Sequence, residues 1–255
     1  MQIPYTRHTL PNGLSVLVHE DHDCPIVAVN VWYHVGSKNE APGRTGFAHL
    51  FEHLMFEGSA HHDKGYFHPL QEAGALLNGS TNADRTNYWE VVPTSAFELA
   101  LWMESDRMGH LLPALTPAKF DNQREVVLNE RRQNYENRPY GLATMATVAA
   151  LFPPDHPYHW LTIGSADDLR ASTLDEARAF FETHYHPANA SLAVAGDVSS
   201  ERALELVETY FGELSAGPQA AALDNRAELA GPVRLFHEDR VELPRLYVAW
   251  HSPAM

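Results

Sequence analysis

Residues Gly43-Arg-Thr-Gly-Phe-Ala-His-Leu-Phe-Glu-His-Leu-Met-Phe-Glu-Gly-Ser59 place His49, Glu52 and His53 in an H-x-x-E-H arrangement. On a helix, positions i, i+3 and i+4 share one face. Two imidazoles and a carboxylate then project towards one point. Two His at that spacing can share one Zn²⁺, and a Glu beside them can take a proton from a water at the metal. Phe47, Leu50, Phe51, Leu54 and Met55 surround this face with apolar side chains. A helix apolar on nearly all sides is a buried one, where ionisable groups are costly unless paired or bound to metal. Thr45 reads as its N-cap and Gly58-Ser59 as its end.

Working back towards the N-terminus, Asn12-Gly13 lies between apolar runs and marks a hairpin. Ile26 to Val35 (IVAVNVWYHV) is rich in β-branched and aromatic residues and predicts a buried strand. On the other side, His61 and His62 occupy a polar loop and read as solvated. Tyr66 to Leu76 predicts a short helix, and Asn78 to Pro93 a polar, exposed stretch leading into a strand. Ser95 caps a helix to Leu111. Thr116-Pro117 starts another that runs to about Asn134, where seven-residue spacing turns Gln123 and Glu130 the same way. Pro139 stops it, and a further helix covers about 142–151. Thr173 caps a helix to Thr183, Ser191 to Ala195 is a strand, and Ser200 caps a helix to Phe211.

The chain has 255 residues, one cysteine and a formal charge of −15. One cysteine excludes an internal disulfide framework and a cysteine-based zinc knuckle, and Cys24 reads as a spectator in a turn. The negative charge argues against nucleic acid or an anionic membrane as partner. No apolar run approaches the roughly 18 residues of a membrane span, so no membrane insertion is expected. Met1 to Arg7 has no apolar signal core, which predicts a soluble, cytoplasmic protein, or a periplasmic one if a signal has been removed.

Residues 215–231 are small, polar and weakly periodic and read as a linker. Beyond it, Phe236-His-Glu-Asp-Arg-Val-Glu-Leu-Pro-Arg-Leu-Tyr-Val-Ala-Trp250 resembles Val18-His-Glu-Asp-His-Asp-Cys-Pro-Ile-Val-Ala-Val-Asn-Val-Trp32. The expectation is a metal-bearing domain over 1–214, the linker, and the start of a truncated second repeat over 232–255.

Two His leave zinc one protein ligand short of a catalytic site. Glu130, mid-helix between Val126-Val127-Leu128 and Arg131-Arg132, is the best candidate for the third. Spacing alone does not separate this from a solvated carboxylate paired with arginine. His184, His186, His156 and His159 read as packed or solvated residues.

The chain resembles the pitrilysin/insulinase family of zinc metallopeptidases, with its inverted motif, and most of all the bacterial two-repeat members and the mitochondrial processing peptidases. The residues carrying the likeness are His49-Leu-Phe-Glu-His53 with Glu130, Leu10-Pro-Asn-Gly-Leu14, Gly46-Phe-Ala-His49, Thr86-Asn-Tyr88, Arg138-Pro-Tyr-Gly141, Pro187-Ala-Asn189 and Ala195-Gly-Asp197. The resemblance implies an α+β fold, a mostly antiparallel sheet packed with helices, forming half of a clamshell. It implies that His49, His53 and Glu130 bind one zinc per chain and that Glu52 is the general base of a zinc endopeptidase. Where some members carry a glutamate seven residues before the third ligand, this chain has Gln123, which can hydrogen-bond but carries no charge. The resemblance also implies that an extended peptide substrate adds as a strand along Ser80 to Asn87, with Asn82 and Ala83 as contacts. A second homologous domain or partner chain is expected to complete the activity. The alternatives are a non-catalytic scaffold or regulatory subunit of the same family, and a purely structural zinc site, which would need a fourth protein ligand.

Overall fold

In the computed structural model, residues 3–218, 223, 226–229 and 231–252 are described. The Asn12-Gly13 turn joins β1 (Thr6–Thr9) to β2 (Ser15–Glu20) as an antiparallel pair. β3 (Ile26–Tyr33) follows, then α1 (Phe47–Leu54), α2 (Phe67–Glu72), β4 (Leu76–Thr81) and β5 (Thr86–Pro93). Four helices come next: α3 (Phe97–Ala114), α4 (Pro117–Arg131), α5 (Ala143–Leu151) and α6 (Ala166–Ala171). α7 (Leu174–His184), β6 (Ala190–Gly196) and α8 (Ser200–Phe211) complete the order.

The strands form one six-stranded sheet in the order β1-β2-β6-β3-β5-β4. Only the β2–β6 pair is parallel; the rest are antiparallel. Residues alternate across a pleated strand, so each strand offers one face to the core. In β3 that face is Val27, Val29, Val31 and Tyr33, all fully buried, while Ile26 and Trp32 are exposed. The strand is therefore covered on one side, not buried on both. α3 and α8 pack on the sheet, and α1 lies against β4, β5, α4 and α7. The core joins the sheet residues to Leu50, Phe51, Leu54 and Met55 of α1 and to Leu101, Phe181 and Phe211. An α+β domain with a mostly antiparallel sheet is what the family resemblance implies.

Several element ends differ from expectation. Leu76 belongs to β4, not to the short helix before it. Ser199, not Ser200, caps α8, its hydroxyl accepting from the Arg202 amide. α3 runs past Leu111 to Ala114 and departs from helical geometry at His110 (φ −134°, ψ 21°). Pro113 explains the break, because a proline ring opposes the carbonyl four residues back. Thr116 and Thr173 cap α4 and α7 as expected.

The linker expected over 215–231 lies partly outside the described residues. Residues 232–252 form no helix or strand, and Phe236, Leu246, Val248 and Trp250 are exposed there. This segment touches the domain at Tyr140, whose amide donates to Asp239 Oδ2 and whose ring lies 3.8 Å beneath the Arg245 guanidinium. Among the described residues, no helix is long and apolar enough to cross a membrane.

Candidate metal centre

The helix bearing His49, Glu52 and His53 begins in a way its own sequence does not announce. Its N-cap is Gly46, at φ 98°, a left-handed conformation that a Cβ disfavours. Gly46 has no side chain to cap with. Glu40 does that work from six residues upstream, its Oε2 accepting from the Gly46 amide at 2.9 Å and its Oε1 from the Ala48 amide at 2.9 Å. Thr45, expected to be the cap, faces elsewhere. Its amide and hydroxyl both donate to Asp168 Oδ2, at 3.0 and 2.6 Å, and its hydroxyl oxygen accepts from the Ser165 amide at 2.8 Å. The start of α1 is thus tied to the start of α6. Gly164 lies directly against it: a Cβ there would come within 2.5 Å of the Gly46 Cα.

From this anchored helix, His49 and His53 project side by side, ring centroids 4.9 Å apart and planes at 83°. Glu130 of α4 meets them. Its Oε2 lies 3.6 Å from His49 Nε2 and 3.4 Å from His53 Nε2. A tetrahedral zinc with bonds of about 2.0–2.1 Å needs ligand atoms about 3.3–3.4 Å apart. Glu130 Oε2 stands close to that spacing from both imidazoles, all three donor atoms lie within 4.8 Å of one another, and the donor set of two imidazoles and one carboxylate suits zinc. Side-chain exposure falls from 34% at Glu130 to 26% at His53 and 13% at His49, so the cluster opens towards solvent at the carboxylate. Burial lowers the His49 pKa, and contact with His53 and then the charge of His49 lower that of Glu130. The His49 shift favours the neutral imidazole, the form that binds a cation. Asn134 Nδ2 donates to Glu130 Oε1 at 3.4 Å.

The other predicted residues fall at different distances from this point. Glu52 is partly exposed on α1, between the two His. Gln123, two turns before Glu130 on α4, donates from Nε2 to Glu57 Oε1, so its amide anchors the segment just after α1. Asn82 and Ala83 lie beyond the end of β4, in the turn to β5. Their carbonyls accept from the amides of Ser37 (3.2 Å) and Lys38 (2.9 Å). That leaves these carbonyls engaged inside the fold. The edge strand on this side of the sheet is β4 itself, Leu76–Thr81, with β1 at the other edge.

Three residues that shape the centre escaped the sequence reading: Glu40, Asp168 and Arg107. Arg107 is fully buried under α1, ion-paired to Glu104 and held between the rings of Tyr66 (3.8 Å) and Tyr88 (4.2 Å). The Tyr88 hydroxyl in turn donates to the Phe51 carbonyl of α1 at 3.1 Å. Glu104 and Arg107 stand at i and i+3 on a helix otherwise apolar on that side, the one local signal that a buried ion pair was present.

Comparison with known proteins identifies the family. The family model described as "Insulinase (Peptidase family M16)" matches residues 15–153, and "Peptidase M16 inactive domain" matches residues 171–255. The zinc protease PqqE of Helicobacter pylori is 31% identical over 96% of this chain and 56% of its own length. A probable mitochondrial-processing peptidase β subunit of Arabidopsis thaliana is 28% identical over 94% of the chain and 45% of its own. A crystal structure of a protease from Helicobacter pylori superposes with a TM-score of 0.82 at 31% identity, covering 88% of this chain and 54% of that one. The first half of the periplasmic protease PqqL of Escherichia coli has the same fold, with a TM-score of 0.77 at 24% identity, covering 88% of this chain and 49% of that one. The chain spans about half the length of the curated relatives it matches. With the model match covering the whole H-x-x-E-H segment and Glu130, the chain belongs to the insulinase family, peptidase family M16.

Proposed function

We propose that this chain is the metal-bearing half of a zinc endopeptidase that cleaves extended peptides. The observation that carries the reading is the spacing of His49, His53 and Glu130, which fits three corners of a zinc tetrahedron and leaves the fourth open. Zinc held there would supply the Lewis acidity that acidifies a water and polarises a peptide carbonyl. Glu52 does the proton work. One residue from His53, it is poorly placed to share the metal and well placed to accept a proton from the attacking water. It then returns that proton to the leaving amine. Gln123 positions the site indirectly, through Glu57. Substrate adds as a strand along the free edge of β4, at Leu76–Thr81, and Asn82 and Ala83 support that edge through their bonds to Ser37 and Lys38. A second homologous domain or partner chain completes the cleft, in keeping with relatives of about twice this length.

A scaffold or regulatory role is the second reading, favoured by the match to a model described as an inactive domain. That match begins at residue 171. Glu52 and all three ligands lie before it, within the other match. Glu52→Gln in the chain supplied with its second half tests the assignment. Zinc content should equal that of the unsubstituted chain while peptide cleavage drops by about 10²–10⁴-fold. Undiminished cleavage would sink Glu52 as the base. No cleavage by the unsubstituted, zinc-loaded assembly would favour the scaffold.

A further inference from the structure

We propose that His61, Asp106 and His110 form a second site for a divalent transition-metal ion of the zinc class, separate from the His49 centre. Each offers a ligand atom, and these atoms lie within 4.8 Å of one another, as do those of His49, His53 and Glu130. The two His pairs also match in form. The His61 and His110 rings are 4.8 Å apart at 79°, against 4.9 Å and 83° for His49 and His53. Two imidazoles and one carboxylate select zinc, cobalt, nickel or copper over the oxygen-seeking calcium and magnesium.

The carboxylate is fixed. Asp106 is 4% exposed, and its Oδ2 accepts from the Ser59 hydroxyl and from the His61 amide at 3.4 Å. His110 sits where α3 breaks, and its carbonyl accepts from the Ala60 amide at 2.9 Å. The loop is closed on itself by paired bonds between Ser59 and His62. The carboxylate donor is therefore placed before any ion arrives, and the backbone that carries His110 is held, which reduces the ordering cost of binding. The third is adjustable. His61 Nδ1 is hydrogen-bonded to Asp106 Oδ1 at 2.5 Å, and its side chain is 60% exposed. An ion in place of that hydrogen bond needs the two atoms about 3.3 Å apart, a movement of less than about 1 Å by an exposed ring. The bound ion would pin the loop that leaves α1 to α3. The same loop reaches α4, the helix of Glu130, through the Asp63–Lys119 ion pair.

Equilibrium dialysis of the 255-residue chain against Zn²⁺, followed by metal analysis, tests the site. The unsubstituted chain should hold two zinc ions. His61→Ala/His110→Ala should hold one, His49→Ala/His53→Ala should hold one, and the fourfold variant none. With Co²⁺ in place of Zn²⁺, the visible absorption should fall by about half in His61→Ala alone, a substitution at an exposed side chain, with the fold checked by circular dichroism. One zinc in the unsubstituted chain overturns the proposal. So do two in His61→Ala/His110→Ala, none in His49→Ala/His53→Ala, or one kept by the fourfold variant, which would assign the ion to other histidines.

Discussion

Glu40 carries a prediction whose sign follows from two opposed effects on one carboxyl. Its oxygens accept from the Gly46 and Ala48 amides, which favours the anion. Its burial favours the acid, and burial wins, pushing the pKa up to about 8 from an ordinary carboxyl value of 4.5. Between those values the folded chain keeps a proton that the unfolded chain releases. The unfolded state then binds fewer protons, so this group's contribution to stability falls as pH rises. The full shift caps the loss at roughly 4–5 kcal/mol. Glu40→Gln carries no charge at any pH in this range. Its one carbonyl oxygen satisfies one amide, and its NH₂ faces the other, at a cost of about 1–3 kcal/mol. Near pH 5, where Glu40 is protonated in the fold, the variant should be less stable by about that amount. By about pH 8.5 the gap should close or reverse. Urea unfolding of both proteins at several pH values reads the difference, and all other titrating groups cancel in it. A gap that stays constant or widens with pH would refute the reasoning, because it would mean that the two amides hold Glu40 ionised.

Two further substitutions probe how the metal helix is held. Arg107→Met leaves the Glu104 carboxylate buried without its partner and removes the cation between Tyr66 and Tyr88; it should cost about 3–5 kcal/mol in urea unfolding, and a cost below about 1 kcal/mol would mean that Glu104 simply takes up a proton. Gly164→Ala puts a Cβ 2.5 Å from the Gly46 backbone at a residue with φ 69°, so it should cost about 2–4 kcal/mol and weaken zinc binding; unchanged stability and zinc affinity would show that the start of α1 tolerates the displacement.

These substitutions fall on residues that the sequence conceals, and the reason is physical. Helix periodicity is local, so the shared face of His49, Glu52 and His53 could be read from spacing within one turn. The β-branched run of β3 and the Asn12-Gly13 turn are equally local, although the run predicts a buried strand and the strand is covered on one side. Glu130 could be named as a candidate, but its selection over any other helix carboxylate needed the family likeness, because no local rule states which face of α4 meets α1. The same limit explains Thr45. An N-cap threonine is a sound local expectation, yet Asp168, far along the chain, takes both its donors, and Glu40 supplies the cap through a loop. Asn82 and Ala83 show the same dependence on distant segments: their carbonyls accept from amides of the loop after β3, a contact that no local pattern announces. His61 looked like one solvated histidine among 16, until Asp106 of α3 appeared beside it.

The chemistry of this domain and its support therefore sit at different ranges in the sequence. The proposed zinc ligands on α1 are set by one turn of helix, and mutation of any of them should show in metal content. The orientation of that turn depends on contacts from the segments that flank it at a distance: Glu40 before it, Gly164 and Asp168 beside it, and Arg107 beneath it. A substitution at one of these should leave all donors present and still displace them as a set relative to Glu130. An error of a few tenths of an ångström in the 3.4 and 3.6 Å spacings matters, because zinc accepts bond lengths only within about 0.2 Å of ideal. Loss of zinc affinity with every ligand intact is thus the signature that separates this supporting layer from the ligands themselves.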